Sequence, residues 1–271
     1  MVWEAVVARV RRIGGAGTLL DLTVPQGFAV PRAGQFVQIA CKPEVPFRLH
    51  RPFGICRWQR TPAGGEIGIL FTVVGEGTRW LDARKPGDEV RLVGPLGHPF
   101  QIVPERTPVL VAGGRGIAPL LLLANQIAPA HPDGLILYGA RNAGALFPTE
   151  GSPYPVHQST LDGSAGEPGT VIDLLLGFLR RGAFRADRSA FCGCGPLPML
   201  EALSRLAMEK GLPVQVSMET IFGCGTGLCA GCAIPLRRGS GDSGGFDRYA
   251  FACIDGPVFD GARIDWPEVC T

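Results

Sequence analysis

The side chains in this sequence with the clearest capacity for chemistry are thiols. Cys224, Cys229 and Cys232 stand in a C-x4-C-x2-C run, and a fourth thiol, Cys253, follows in the same C-terminal stretch. Thiolates in that spacing are the ligand set of a two-iron, two-sulfur cluster. Glycines at 223, 225, 227 and 231 alternate with the cysteines. A loop that wraps a cluster needs positive φ angles and close backbone approach, with peptide N–H groups turned towards sulfur, and glycine permits both. Four thiolates also suit a closed zinc site. Zinc ligands, however, usually come as two short-spaced cysteine pairs, and here there is one C-x2-C.

Other segments carry residue types that hold phosphates and flat rings. Arg51-Pro52-Phe53-Gly54 offers a planar guanidinium fork for a phosphate, a fixed backbone at the proline, and a glycine that lets a ring approach the main chain. A surface turn with a solvated arginine is the plainer alternative. Leu70-Phe71-Thr72 supplies an extended edge, and Gly75-Glu76-Gly77-Thr78 a glycine turn with backbone donors. Together the two segments fit a dinucleotide whose ring lies on one strand and whose pyrophosphate sits on Arg51, Gly77 and Thr78. Gly113-Gly114-Arg115-Gly116 is suited to a second pyrophosphate, because free amides and a helix dipole favour an anion there. It is not a G-x-G-x-x-G fingerprint, and a tight structural turn is its alternative. Cys194-Gly195-Pro196 ends a further strand at the same carboxyl edge, where Cys194 would lie beside a nicotinamide or be a buried, unreactive thiol. Cys41, Cys56 and Cys270 read as ordinary residues. The four histidines are scattered, no Ser-His-Asp grouping stands out, and hydrolytic chemistry is unsupported. His98 reads as part of a hinge between the first two units.

These residues must be positioned by more than one unit, since 271 residues exceed the usual size of a single core. Over 3–100 the pattern is short β-rich runs, at 3–10, 18–24, 35–40, 53–58, 67–74 and 89–93, separated by Gly and Pro turns that include one at Pro43. This predicts a small antiparallel Greek-key barrel. After Pro104 strands and helices alternate. Strands are expected at 108–112, 135–138, 156–159, 189–192 and 213–218, and helices from Pro119 to 126, at 171–181 and at 196–210. That alternation predicts an α/β domain with a parallel sheet. The cysteine segment, 219–271, forms a third unit and includes a polar, glycine-rich loop over 237–245 expected to be mobile.

Hydrophobic residues make up 46% of the chain and charged residues 18%, and the net charge is +2. Such a balance leaves no electrostatic footprint for nucleic acid or for an anionic membrane. The longest apolar stretch, 108–124, is broken by Arg115 and by glycines and does not read as a membrane span. The N-terminus lacks the apolar run of a signal peptide, and with free thiolates this places the expectation in the cytoplasm.

Taken together, R-P-F-G at 51–54, V-G-E-G-T at 74–78, G-P-L-G at 94–97, G-G-R-G-I-A-P at 113–119, C-G-P-L-P-M at 194–199, C-G-T-G-L-C-A-G-C at 224–232 and C-I-D-G-P-V-F at 253–259 resemble the ferredoxin–NADP reductase superfamily. Within it they are most similar to the electron-transfer subunits of class 1B dihydroorotate dehydrogenases. The resemblance covers essentially the whole chain. It implies an FAD-binding barrel over 1–100, an NAD-binding α/β domain over 101–218 and a 2Fe-2S domain over 219–271. By motif, FAD is expected on Arg51, Pro52, Phe53, Gly54, Leu70, Phe71, Thr72, Gly77 and Thr78, and NADH at Gly113, Gly114, Gly116, Cys194 and Gly195. The cluster is expected on Cys224, Cys229, Cys232 and Cys253. Its implied partner is an FMN-containing dihydroorotate dehydrogenase catalytic subunit, in a heterotetramer of two copies of each. Two departures are notable: Gly54 stands where many relatives have Ser, and Arg115 where the residue is usually small.

The same order follows from electron counting. A nicotinamide gives two electrons as a hydride and an iron–sulfur cluster takes one, so a flavin must stand between them. No protein acid or base is required for the hydride step. Rival readings are the small flavin and iron–sulfur subunit of an NAD(P)H:ferredoxin oxidoreductase or of a sulfhydrogenase, and, in a different class, a zinc-stabilised binding module with no redox role. The choice between NADH and NADPH is open, since Arg141 follows the second strand of the α/β unit without a decisive acidic residue.

Overall fold

A computed structural model describes residues 1–41, 49–237 and 248–269. The expected turn at Pro43, the 237–245 loop beyond Arg237, and Cys270 lie outside the described residues.

Six strands, β1 (Val2–Ile13), β2 (Gly17–Pro25), β3 (Phe36–Ile39), β4 (Arg51–Thr61), β5 (Gly64–Phe71) and β6 (Glu89–Leu96), close into a barrel in the order β1-β2-β5-β4-β3-β6. All six were expected. Alternation along each strand sends every second side chain inward. On β3, Val37 and Ile39 enter the barrel core, while Phe36, on the opposite face, joins the core of the next unit. Gln38 shares that outer face and is nevertheless 1% exposed.

The fifth expected strand, 67–74, ends early. β5 stops at Phe71, and the glycine turn expected at 75–78 is the start of a short helix, α1 (Glu76–Asp82). Thr78 is the reason: its hydroxyl oxygen accepts hydrogen bonds from the Val74 and Gly75 amides at 2.9 and 3.1 Å and so fixes the two residues that lead into the helix.

The second unit contains β7 (Thr107–Gly113), α2 (Ile117–Ile127), β8 (Leu135–Ala140), β9 (Val156–Thr160), β10 (Glu167–Pro168), α3 (Val171–Arg181), β11 (Ser189–Cys194), α4 (Leu197–Glu209) and β12 (Val214–Ser217). Strands β10-β9-β8-β7-β11-β12 pair in parallel. A parallel sheet buries both faces, which is why β7 reads as an unbroken apolar run. Leu110 and Ala112 pack towards α2, whereas Val109 and Val111 pack with residues of α3 and α4. Helix α2 also ties the sheet to the barrel, since its Gln126 accepts from the Ala33 amide at 2.9 Å and donates to the Pro31 carbonyl at 2.8 Å in the connection between β2 and β3.

The C-terminal segment adds β13 (Ala233–Pro235), β14 (Tyr249–Phe251), β15 (Val258–Asp260) and α5 (Trp266–Val269). β13 and β14 form a two-stranded sheet. β15 joins the large sheet antiparallel to β12, so that sheet has seven strands and is not wholly parallel. A three-residue strand beside Gly256-Pro257 is too short for periodicity to reveal. His98, just beyond β6, completes the stitching, its amide donating to the Gly256 carbonyl at 2.5 Å. His98 thus bridges to the third unit as well as linking the first two.

Candidate flavin, nucleotide and cluster sites

Two cavities meet between barrel and sheet. The first, of about 330 Å³, is lined by Arg51, Pro52, Phe53, Gly54, Leu70, Phe71, Thr72 and Thr78 from the barrel and by Cys194 from the sheet. Phe53 and Phe71 are themselves buried in the barrel core, ring against ring at 5.6 Å. Gly54 is open, and a Cβ there would meet nothing within 4 Å. Arg51 lies across the start of α1, its Cγ and Nε 3.4 and 3.5 Å from where a Gly77 Cβ would stand. Its Nη1 donates to the Leu49 carbonyl at 2.7 Å, leaving other faces of the fork for an anion. The structure therefore brings together the R-P-F-G segment and the 70–78 segment. The Thr78 hydroxyl is committed to capping α1, which leaves backbone donors of this segment as the groups a phosphate there would meet.

The second cavity, about 750 Å³, opens at the carboxyl edge of the sheet and is lined by Gly113, Gly114, Arg115, Gly116, Gly195 and Arg141 among others. β7 and β11 are neighbours, and the glycine turns that follow them press against each other. A Cβ on Gly116 would stand 2.0 Å from the Cys194 carbonyl oxygen, and one on Gly195 would stand 2.9 Å from the Gly113 nitrogen. Gly116 has an ordinary helical φ of −60, so closeness and not conformation demands glycine there. Cys194 lines the flavin-side cavity and not this one. Burial pushes its thiol up to about 12, which keeps it neutral. Thr72, Arg115 and Glu219 line both cavities and mark their junction.

Beyond Glu219, Phe222 reaches back into the first cavity, its ring 5.0 Å from that of Phe36, and the cysteine loop begins directly after it. Neither phenylalanine was singled out from the sequence, although Phe222 immediately precedes the cysteine motif. Gly225 and Gly227 take φ values of +73 and +83, as a wrapping loop requires. The Thr226 and Cys229 amides each donate to Cys224 Sγ at 3.4 Å, and the Gly227 amide donates to Cys253 Sγ at 3.2 Å. A backbone bond from the Ala252 amide to the Cys232 carbonyl at 2.9 Å sets the last two cysteines side by side, with their sulfurs 3.3 Å apart. The Thr226 amide foremost holds Cys224 down to about 6, and burial pushes Cys253 up to about 12. Among the described residues no three potential ligands converge on a single point as one metal ion would require. The donor set of four thiols on glycine turns, with amides already directed at sulfur, fits a two-iron, two-sulfur cluster.

A flavin-type barrel, an α/β nucleotide unit and a cysteine loop, met in that order, define an electron-transfer oxidoreductase of the ferredoxin reductase fold. The comparisons narrow this further. Residues 219–265 match the family model described as the iron–sulfur cluster binding domain of dihydroorotate dehydrogenase B. The electron transfer subunit of dihydroorotate dehydrogenase B (NAD(+)) from Desulforamulus reducens is 31% identical over 98% of both chains, and that from Caldanaerobacter subterraneus subsp. tengcongensis is 34% identical over 96% of this chain and 97% of the relative. A solved NADH-dependent reduced ferredoxin-NADP oxidoreductase, described for flavin-based electron bifurcation, superposes with a TM-score of 0.79 at 28% identity, covering 98% of this chain and 91% of that one. The chain belongs to the family of dihydroorotate dehydrogenase B electron transfer subunits. No helix among the described residues is long and apolar enough to cross a membrane.

Proposed function

We propose that the chain conducts electrons from NADH, bound over the larger cavity, through FAD in the smaller one to a 2Fe-2S cluster on Cys224, Cys229, Cys232 and Cys253, and on to the FMN of a dihydroorotate dehydrogenase catalytic subunit. The observation that carries this reading is continuity: Thr72, Arg115 and Glu219 join the two cavities, and Phe222 joins the smaller one to the cysteine loop. FAD, when bound, supplies the conversion between a hydride pair and single electrons. The protein's part is positional. Arg51 and the amides at the start of α1 would hold phosphate, the strand segments Pro52 to Gly54 and Leu70 to Thr72 would support the ring, and Gly113, Gly114, Gly116 and Gly195 would leave room for the nicotinamide nucleotide. Neutral Cys194 would border the reacting atoms without offering a nucleophile. Leu228 and Ile221, 88% and 79% exposed on the cysteine segment, are suited to burial against the catalytic subunit. Assembly as two copies of each subunit, in the cytoplasm, completes the proposal.

The test is anaerobic co-purification with the dihydroorotate dehydrogenase catalytic subunit. FAD, iron and acid-labile sulfide are expected in the complex, with NADH reducing both centres. Cys224→Ser is expected to abolish the cluster and transfer to the partner while NADH still reduces the flavin. Recovery with a glutamate-synthase-like or hydrogenase partner would overturn the pyrimidine assignment and favour the rival subunits of the same architecture.

A further inference from the structure

Gln38 occupies a position that its own strand does not explain. It lies on β3 opposite Pro52 of β4 and Val93 of β6, on the outer face of the barrel, where a polar side chain would ordinarily meet water. Instead it is 1% exposed, and both Nε2 and Oε1 are buried without a hydrogen-bond partner. A carboxamide buried and unpaired is destabilising, so a bound group outside the polypeptide is its natural partner. What covers it is the cysteine loop. A Cβ on Gly225, the residue after Cys224, would stand 2.5 Å from Gln38 Nε2 and 2.7 Å from its Cγ. Gly225 is therefore glycine twice over, for its φ of +73 and for the approach of Gln38. Gln38 does not line the flavin-side cavity, whereas Phe36, two residues earlier on the same face, does.

We propose that Gln38 is a positioning residue for the iron–sulfur cluster, its Nε2–H₂, which reaches no cysteine sulfur, donating to the cluster's own inorganic sulfide beside the Gly225 turn, and that this bond raises the cluster's reduction potential. Thiolate and sulfide sulfurs accept and do not donate, so the amide nitrogen is the end of the carboxamide that can serve them. A donor to sulfur stabilises the more negative, reduced state, and hydrogen bonds to sulfur are among the factors that set cluster potentials. The strand would then place flavin-lining Phe36 and cluster-facing Gln38 about 7 Å apart along one edge, coupling the two centres to one rigid element. The inference rests on the cluster assignment above and adds a residue outside the four ligands.

The experiment uses the complex with the catalytic subunit and compares wild type, Gln38→Leu and Gln38→Met by redox titration followed by electron paramagnetic resonance. Loss of one charge-assisted bond is expected to shift the one-electron equilibrium about tenfold, lowering the cluster midpoint by about 59 mV while the flavin midpoint is unchanged. Should either variant lose iron, wild-type protein labelled with ¹⁵N at the glutamine side chain replaces it, and a side-chain nitrogen coupling to the reduced cluster is expected. An unchanged midpoint in a fully loaded variant, or no such coupling, overturns the role of Gln38. Wild-type protein without iron and labile sulfide overturns the cluster assignment, and the inference with it.

Discussion

Among single residues the thiols divide by surroundings: backbone amides are directed at the Cys224 and Cys253 sulfurs, whereas burial alone acts on Cys192. The C-x4-C-x2-C motif was legible because its chemistry depends on short intervals, and the interval is written in the chain. Gln38 was not, because in Phe36-Val37-Gln38-Ile39 it reads as the solvent-facing member of an alternating strand, and the loop that buries it comes from far along the sequence. The remaining thiols have a measurable consequence of their own. Burial lifts Cys192 from the ordinary 9.0 to about 12. Between those values the unfolded chain has released a proton that the folded protein still holds, so stability falls as pH rises from about 9 to 12 and is unaffected by this group below that window. Cys192→Ala is expected to flatten the alkaline fall in denaturation midpoint measured between pH 8 and pH 11, at the expense of a small loss of packing at pH 8.

At the scale of elements, helices and strands with strong periodicity were read with nearly their observed limits, and those held by tertiary contacts were missed. α3 spans Val171–Arg181 as expected, because Thr170 and Asp173 form a capping box and Gly182 ends it in a left-handed turn. Thr170→Ala removes that cap and is expected to cost about 1 kcal/mol of stability, seen as a lower urea midpoint with an unchanged slope. α1 escaped notice because two glycines at 75 and 77 suggest a turn, and β15 because its pairing with β12 depends on strand order and not on its own three residues. The paired glycine turns after β7 and β11 make a sharper claim. Gly116→Ala places a methyl carbon on the Cys194 carbonyl, so the two turns must separate. The expected result is a rise of at least about tenfold in the KM for NADH, equivalent to about 1.4 kcal/mol, with the flavin spectrum preserved.

For the whole molecule, the order of units was visible as a change of grammar near residue 104, but not how tightly they are joined. One core runs from the barrel interior through α2 to the sheet, and a second unites α3, α4 and the cysteine segment. The exposed apolar side chains that remain on that segment give a prediction about assembly. Leu228→Asp, which alters a residue 88% exposed, is expected to leave FAD and iron content intact and to weaken association with the catalytic subunit by at least tenfold in analytical ultracentrifugation.

β15 has a kinetic meaning beyond architecture. Because a strand of the cysteine segment is hydrogen-bonded into the nucleotide sheet, and the His98 amide is bonded to the turn before that strand, the cluster is not a cargo on a swinging tether that must travel between donor and acceptor. Electrons would cross a fixed gap, and the internal transfer rate is expected to be indifferent to added glycerol or sucrose at constant temperature. A rate that falls in proportion to solvent viscosity would mean that the strand unzips during turnover.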